Sequence, residues 1–328
     1  MNTNWLLFSL VILFVLAVYY SVGGYGFPDY INYITLVENG GYLRSPDEYA
    51  AEWLVRFILK NEFGFFSGAQ NTVDFLAVFV QVFYVVFVSL LMKDEDRQRQ
   101  RGWLFFTLAL SPLLLTTVLR AGPAYLIVTY LALHGKVLTP RFVVLALIAI
   151  SFHDSAIVMI ALYVLSAMFC CIFSRVGVRE LRWLMVVSLA IMLLSQQVSL
   201  LLMSVVSHFD VGIRSVYFQG GEAASLVKKV FVVFIWFVAY TALSNDRSSM
   251  RTKVFLCACS LLMAVSFSVS EVAGIRFSAY VLGIALVSKG AFILSGNGRG
   301  KLSQLDLLFG FVYFAVMFYD VFRNAQAG

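Results

Sequence analysis

The chain has 328 residues, of which 61% are hydrophobic and only 13% charged, with a formal net charge of +6. Apolar runs this long, so thinly interrupted by charge, exclude a water-soluble core and predict a polytopic, all-α membrane helix bundle. The alternating ten-residue pattern of an outer-membrane barrel is absent, and the runs are continuously apolar, which excludes that class as well.

In chain order, the first run, 4–22, lacks a basic leader and a small-residue cleavage site: Tyr19, Tyr20, Ser21 and Val22 close it. It reads as a retained span rather than a signal peptide. Further spans are predicted over 72–92, 103–119, 121–133, 142–152, 154–174, 183–206, 230–244, 254–271, 276–294 and 304–322. That makes about eleven transmembrane or partly spanning helices in one domain, 1–328. Placing the N-terminus in the cytoplasm puts fourteen of the twenty-four Lys and Arg residues in cytoplasmic connections, as the positive-inside rule requires. The positive charge is thus a topology signal and implies no nucleic-acid partner. Cys170, Cys171, Cys257 and Cys259 lie within or at the ends of predicted spans, without metal-site or disulfide spacing, and read as packing residues.

Two external segments are long enough to contact substrate, 23–71 and 207–229. The first predicts an amphipathic helix over 45–59 lying in the outer membrane interface, with Ser45 and Glu48 as a capping box, Pro46 at the first helical position and Trp53 among the headgroups. Its aromatic and acidic residues also suit a carbohydrate, whose apolar faces stack on rings while its hydroxyls bond carboxylates. An aromatic interfacial belt has the same composition. Residues 121–133 and 142–152 are too short to cross alone. With Pro112, Gly122 and Pro123 as breakers, they place a polar cavity in the region 112–155.

Three elements carry candidate chemistry. Arg120 stands between two apolar runs, where a guanidinium offers a rigid fork of donors suited to phosphate or pyrophosphate; snorkelling to lipid headgroups is the plainer role. Ser151-Phe-His153-Asp-Ser interrupts the apolar stretch 142–172, and an imidazole there suits general-base catalysis. A buried strut with Asp154 or Ser155 as helix cap is the alternative. Adjacent residues on a helix point about 100° apart, so His153, Asp154 and Ser155 are no ready-made nucleophilic triad. Glu271 and Arg276 flank a predicted turn between two spans, with Tyr280 four residues beyond Arg276, and form either an ion pair or a second phosphate clamp. Arg214 adds a further external cation in the second external segment.

Taken together, Asp29-Tyr30-Ile-Asn-Tyr33, Arg120 opening a small-residue helix, Phe152-His153-Asp-Ser155-Ala156, and Arg276 with Tyr280 resemble the Wzy-type polysaccharide polymerases of bacterial inner membranes, in particular the EpsG-like branch. The pattern covers roughly residues 1–290. Gly122 and Pro123 after Arg120, and Asp154 after His153, depart from it. The resemblance implies a GT-C-like glycosyltransferase architecture. The activity it implies is transfer of a growing glycan from undecaprenyl pyrophosphate to the non-reducing hydroxyl of a lipid-linked repeat unit, at the periplasmic face, without cofactor, metal or nucleotide. Arg120, Arg276 and Arg214 would bind pyrophosphate, and His153 or Glu271 would act as base. Asp29, Tyr33, Tyr125, Asp154, Tyr217 and Tyr280 would contact glycan. Membrane lipid and a chain-length regulator are the implied partners. A lipid-linked-glycan flippase or transporter is the main alternative, since intramembrane charge and broken helices suit a transport path. A membrane glycan O-acyltransferase built on His153 and Asp154 is another.

Overall fold

The computed structural model describes residues 3–23, 28–39, 52–61, 64–116, 119–173, 177–208, 226–245, 248–291 and 304–326. Every regular element among them is an α-helix: α1 (Thr3–Val22), α2 (Pro28–Glu38), α3 (Trp53–Lys60), α4 (Ala69–Asp94), α5 (Arg97–Leu114), α6 (Gly122–His134), α7 (Pro140–Phe152), α8 (Ser155–Ile172), α9 (Val178–Leu193), α10 (Ser195–His208), α11 (Leu226–Ala242), α12 (Met250–Val269), α13 (Glu271–Lys289) and α14 (Gln304–Gln326). The chain is thus a polytopic helical membrane protein. Each of the eleven predicted spans falls on a helix, but among the described residues only α1, α4, α8 and α12 are, by length and composition, long and apolar enough to cross alone. The other helices fall short for physical reasons. α5 carries Arg97, Arg99 and Arg101 in its first turns, α13 carries Glu271, Arg276 and Lys289, and α6 and α7 have thirteen residues each. At about 1.5 Å per residue, α6 and α7 reach about 20 Å, against about 30 Å of hydrocarbon.

One predicted span is corrected. Residues 183–206 form two helices, α9 and α10, bent by 84° at Leu194, and together they make a fifth candidate span. Ser195, Gln196 and Gln197 follow the bend, so the break sits where a straight helix would carry three polar side chains into hydrocarbon. The turn predicted over 272–275 is instead helical, the break lying at Ser270 alone, and Arg276 sits in the second turn of α13 rather than at its start.

The chain divides into two compact units, Met1–Ile160 with Gly290–Gly328, and Ala161–Lys289. In the first, α5 is the core helix. Asp96 caps its N-terminus by accepting the N–H groups of Gln98 and Arg99, and residues Gly102 to Pro112 are buried without a break. α1, α4 and α14 pack around it. On α4, Val73, Leu76, Ala77, Val80, Tyr84, Val88 and Met92 recur at helical spacing and face inward. Phe75, Val78, Val82, Val86 and Leu90 are exposed on the same helix, and an apolar outer face of this kind belongs in lipid. Two polar groups on α4 are paired across helices. Tyr84 bonds Thr107, and Gln81 accepts from Tyr20 while donating to the Leu115 carbonyl at the end of α5. Pro123 starts α6 rather than breaking it, since a proline in the first turn sacrifices no helical hydrogen bond.

In the second unit α12 packs on α9, α10, α11 and α13. A β-carbon on Gly274 would lie 2.5 Å from the Phe267 Cα, so glycine is what allows α13 to fold back closely on α12. Cys257 and Cys259 are buried free thiols on α12, while Cys170 and Cys171 sit near the end of α8, the latter exposed. The burial of Cys257 and Cys259 agrees with the packing role their sequence setting suggested.

Candidate functional site

Of the amphipathic helix predicted over 45–59, residues 45–51 lie outside the described residues, and α3 begins at Trp53, with Trp53 and Phe57 exposed and Val55, Ile58 and Leu59 buried. The Ser45–Glu48 capping box and Pro46 lie outside the described residues. The residue that does stand before the helix, Glu52, makes no side-chain cap. Its carboxylate turns inward instead and is 2% exposed. Because α3 packs on α4 and α7, Glu52 arrives at the end of α7, where His153 breaks the helix in an extended conformation (φ −154°, ψ 132°). Phe152, stacked on Phe79 at 6.1 Å and tilted on Phe83 at 5.7 Å, fixes that end of α7 against α4.

Glu52 is the hub of the site. Its Oε2 accepts from the Arg120 guanidinium at 3.0 Å, and its Oε1 accepts the backbone N–H of Asp154 at 3.3 Å. The same Oε1 lies 3.8 Å from His153 Nδ1. Arg120 is therefore held by a buried carboxylate, neither snorkelling to headgroups nor left to bulk water, and keeps a side-chain exposure of 19%. Its backbone N–H donates to the Tyr33 hydroxyl at 3.4 Å, which ties α2 to the start of α6.

His153 is 6% exposed, with Nδ1 3.0 Å from Asp154 Oδ1 and 3.1 Å from the Ser155 N–H. One nitrogen cannot donate to the first and accept from the second. Two carboxylates face Nδ1, so the proton belongs there, directed at Asp154. The Ser155 N–H has the Asp154 carboxylate as an alternative acceptor. The His153 hydrogen bond, aided by the charges of His153 and Arg120 and opposed by partial burial, holds the Asp154 carboxyl below the usual carboxylate range, so it is ionised throughout the neutral range. This tautomer leaves Nε2 with its lone pair, and among the described residues Nε2 has no hydrogen-bond partner. An imidazole whose Nδ1–H is oriented by a carboxylate while Nε2 stays basic is the arrangement a general base requires.

Glu52, His153 and Asp154 place their ligand atoms within 4.8 Å of one another, a donor set that a divalent cation accepts. The Arg120 guanidinium already supplies the positive charge on Glu52, and Nδ1 is committed to Asp154, so the cluster closes electrostatically on its own residues.

Of the remaining predicted residues, Tyr33 and Tyr125 are buried in the same unit, at 5% and 2% exposure. The side chain of Asp29 falls outside the described residues, as do Arg214 and Tyr217. Glu271, Arg276 and Tyr280 belong to the second unit. There Glu271 accepts from Lys228, Arg276 is exposed and Tyr280 is fully buried, so Arg276 and Tyr280 do not share one face to solvent. Sequence reasoning missed Glu52 as a site residue. It sits one residue before Trp53 in an acidic segment, and nothing local distinguishes it from Glu48.

Replacing Glu52 by Gln is expected to separate charge from hydrogen bonding here. The amide still accepts the Asp154 N–H but no longer neutralises Arg120. The carboxylate is buried but the Arg120 guanidinium left behind keeps 19% exposure and can still reach water, so the loss is on the order of 1–3 kcal/mol, less than for stranding the carboxylate itself. A fall of a few degrees in the midpoint of thermal unfolding, read by intrinsic fluorescence in detergent, is the expected outcome. An unchanged midpoint would show that the pair holds nothing together.

No curated protein and no solved structure matches the chain. The model of the EpsG family does match, over residues 4–327. With a family match of that extent laid over a helical membrane bundle, the chain belongs to the EpsG family.

Proposed function

We propose that this protein is a polysaccharide polymerase that extends a glycan carried on undecaprenyl pyrophosphate, acting at the periplasmic face of the bacterial inner membrane. The observation that supports this reading best is the Arg120–Glu52–His153–Asp154 cluster at the meeting point of α3, α6 and α7, inside a membrane protein of a polysaccharide-producing family. In this reaction the acceptor hydroxyl of a lipid-linked repeat unit attacks the anomeric carbon of the donor glycan. The bond from that carbon to the pyrophosphate oxygen breaks, and undecaprenyl pyrophosphate leaves with the electron pair. Nε2 of His153 accepts the hydroxyl proton, with Asp154 holding the ring and stabilising the imidazolium that forms. Arg120 meets the negative charge that develops on the leaving pyrophosphate, in a setting partly withdrawn from water, where such stabilisation is strongest. The resemblance also makes Arg276 and Arg214 candidates for pyrophosphate binding. Glu271, already neutralised by Lys228, is a weaker base candidate than His153. The pyrophosphate is a stable anion, so no general acid is needed. Asp29, Tyr33, Asp154 and Tyr217 remain proposed glycan contacts, Tyr125 and Tyr280, both buried, fit a packing role better, and a chain-length regulator is the proposed membrane partner.

The test is reconstitution of the purified protein into liposomes with its native lipid-linked repeat unit, followed by glycan gel electrophoresis. A ladder from this chain alone supports polymerisation. Its absence from well-folded protein would favour transport or acylation of the glycan. Chelation of divalent cations is expected to leave the ladder unchanged, because Arg120 supplies the charge that a metal would otherwise bring. A ladder lost to the chelator and restored by magnesium or manganese would instead assign a cation to Glu52, His153 and Asp154.

A further inference from the structure

At the opposite end of α4, α6 and α7 from His153, the first unit contains a cavity of about 520 Å³. Its volume lies within the range of about 300–1,000 Å³ found for small-molecule sites. Leu90 and Leu91 of α4 and Val144 and Leu145 of α7 form apolar walls, so the cavity suits a hydrocarbon chain. Leu90 and Val144 are also exposed on the outer helix faces, at 59% and 55%, which opens it to lipid.

Its polar lining is specific. Asp94, the last residue of α4, and Arg141, in the first turn of α7, both line the cavity. Among the described residues neither takes part in an ion pair, although they carry opposite charges in one small space. Arg141 instead lies over the Tyr130 ring, 5.3 Å from its centre. That ring is itself held in place, stacked on His134 at 4.9 Å and edge-on to Phe87 at 6.0 Å, while His134 is fixed by Glu95 and by Arg99 at 3.1 Å. The wall beneath Arg141 is therefore preformed, and binding there orders few additional groups.

An apolar cavity open to lipid, with one anchored cation and one carboxylate at the ends of its helices, matches an amphiphile whose head carries both charges. We infer that this is a binding site for a zwitterionic phospholipid with a primary ammonium group, of the phosphatidylethanolamine class. One acyl chain fills the cavity, the phosphate meets Arg141 and the ammonium meets Asp94. An anionic lipid would satisfy Arg141 and set its charge against Asp94. A phosphatidylcholine head carries the positive charge but has no N–H to donate to the carboxylate. The site is distant from the His153 cluster and stands whether or not the chain polymerises glycans.

The experiment is native mass spectrometry of the delipidated, full-length protein titrated with dioleoyl phosphatidylethanolamine, phosphatidylcholine or phosphatidylglycerol. Wild type is expected to bind phosphatidylethanolamine about tenfold more tightly than the other two, the equivalent of one charge-assisted contact. Asp94→Asn should erase that preference, and Arg141→Gln should weaken all three lipids. Both side chains are exposed, so neither change threatens folding. Leu145→Trp fills the cavity and should abolish saturable binding. Equal affinity for the three lipids, no saturable binding in wild type, or full retention of phosphatidylethanolamine by Leu145→Trp would each overturn the assignment.

Discussion

Replacing Arg120 by Ala is expected to remove polymer formation, lowering turnover by about 10²–10³-fold, the range typical for deleting one donor aimed at developing negative charge. The same change leaves the Glu52 carboxylate, whose side chain is only 3% exposed, without its counter-ion. Removing one partner of a buried pair costs about 3–5 kcal/mol, so loss of activity alone would not separate chemistry from folding. The double variant Arg120→Ala with Glu52→Gln resolves this. It removes the stranded charge and should regain most of the thermal stability while remaining inactive. Arg120→Lys should keep the fold and recover only part of the rate, since an ammonium is a point charge without the planar fork. A ladder from the stable double variant at the wild-type rate would exclude Arg120 from pyrophosphate binding.

His153→Ala is the second large effect, with an expected loss of about 10²–10⁴-fold in turnover, the usual contribution of a general base. Here the structural confound is smaller, because Asp154 is half exposed and can turn to water once the imidazole is gone. His153→Gln sharpens the experiment. Its amide can still donate to Asp154 and so preserves the end of α7, but it cannot accept a proton. A polymerase using Nε2 as base should be as inactive with Gln as with Ala, at substrate affinity close to wild type. A Gln variant with near-native turnover would reduce His153 to a strut and return the role of base to a carboxylate, Asp154 at 3.0 Å or Glu52 at 3.8 Å from the ring in the first unit, or Glu271 in the second.

How much of the site was legible in sequence differs from residue to residue. His153 and Asp154 stood out because a His-Asp-Ser run inside continuous apolar sequence is costly unless it ends a helix or meets a partner, and it does both. Arg120 stood out for the same reason. Its partner did not: Glu52 lies 68 residues from Arg120 and 102 from Asp154, among other acids of similar appearance. Only the packing of α3 on α4 and α7 selects it. The bend at Leu194 lay on the boundary between the two kinds of information. Ser195, Gln196 and Gln197 were visible, but a polar triplet can end a helix, bend it or turn inward, and the choice depends on neighbouring helices.

The sequence by itself determined the class of the protein, the approximate positions of most of its membrane helices and the shortness of α6 and α7. These follow from local quantities: apolar run length against membrane thickness, the missing N–H of proline, and the cost of charge in hydrocarbon. Tertiary structure alone decided that Glu52 is the hub of the site and that Glu52 and Asp154 both face Nδ1 of His153. It alone placed Asp94 and Arg141 around one cavity without an ion pair. Each of these depends on which side chains are brought within a few ångströms by helices far apart in the chain, and electrostatic and hydrogen-bond energies fall too steeply with distance for local sequence to encode them.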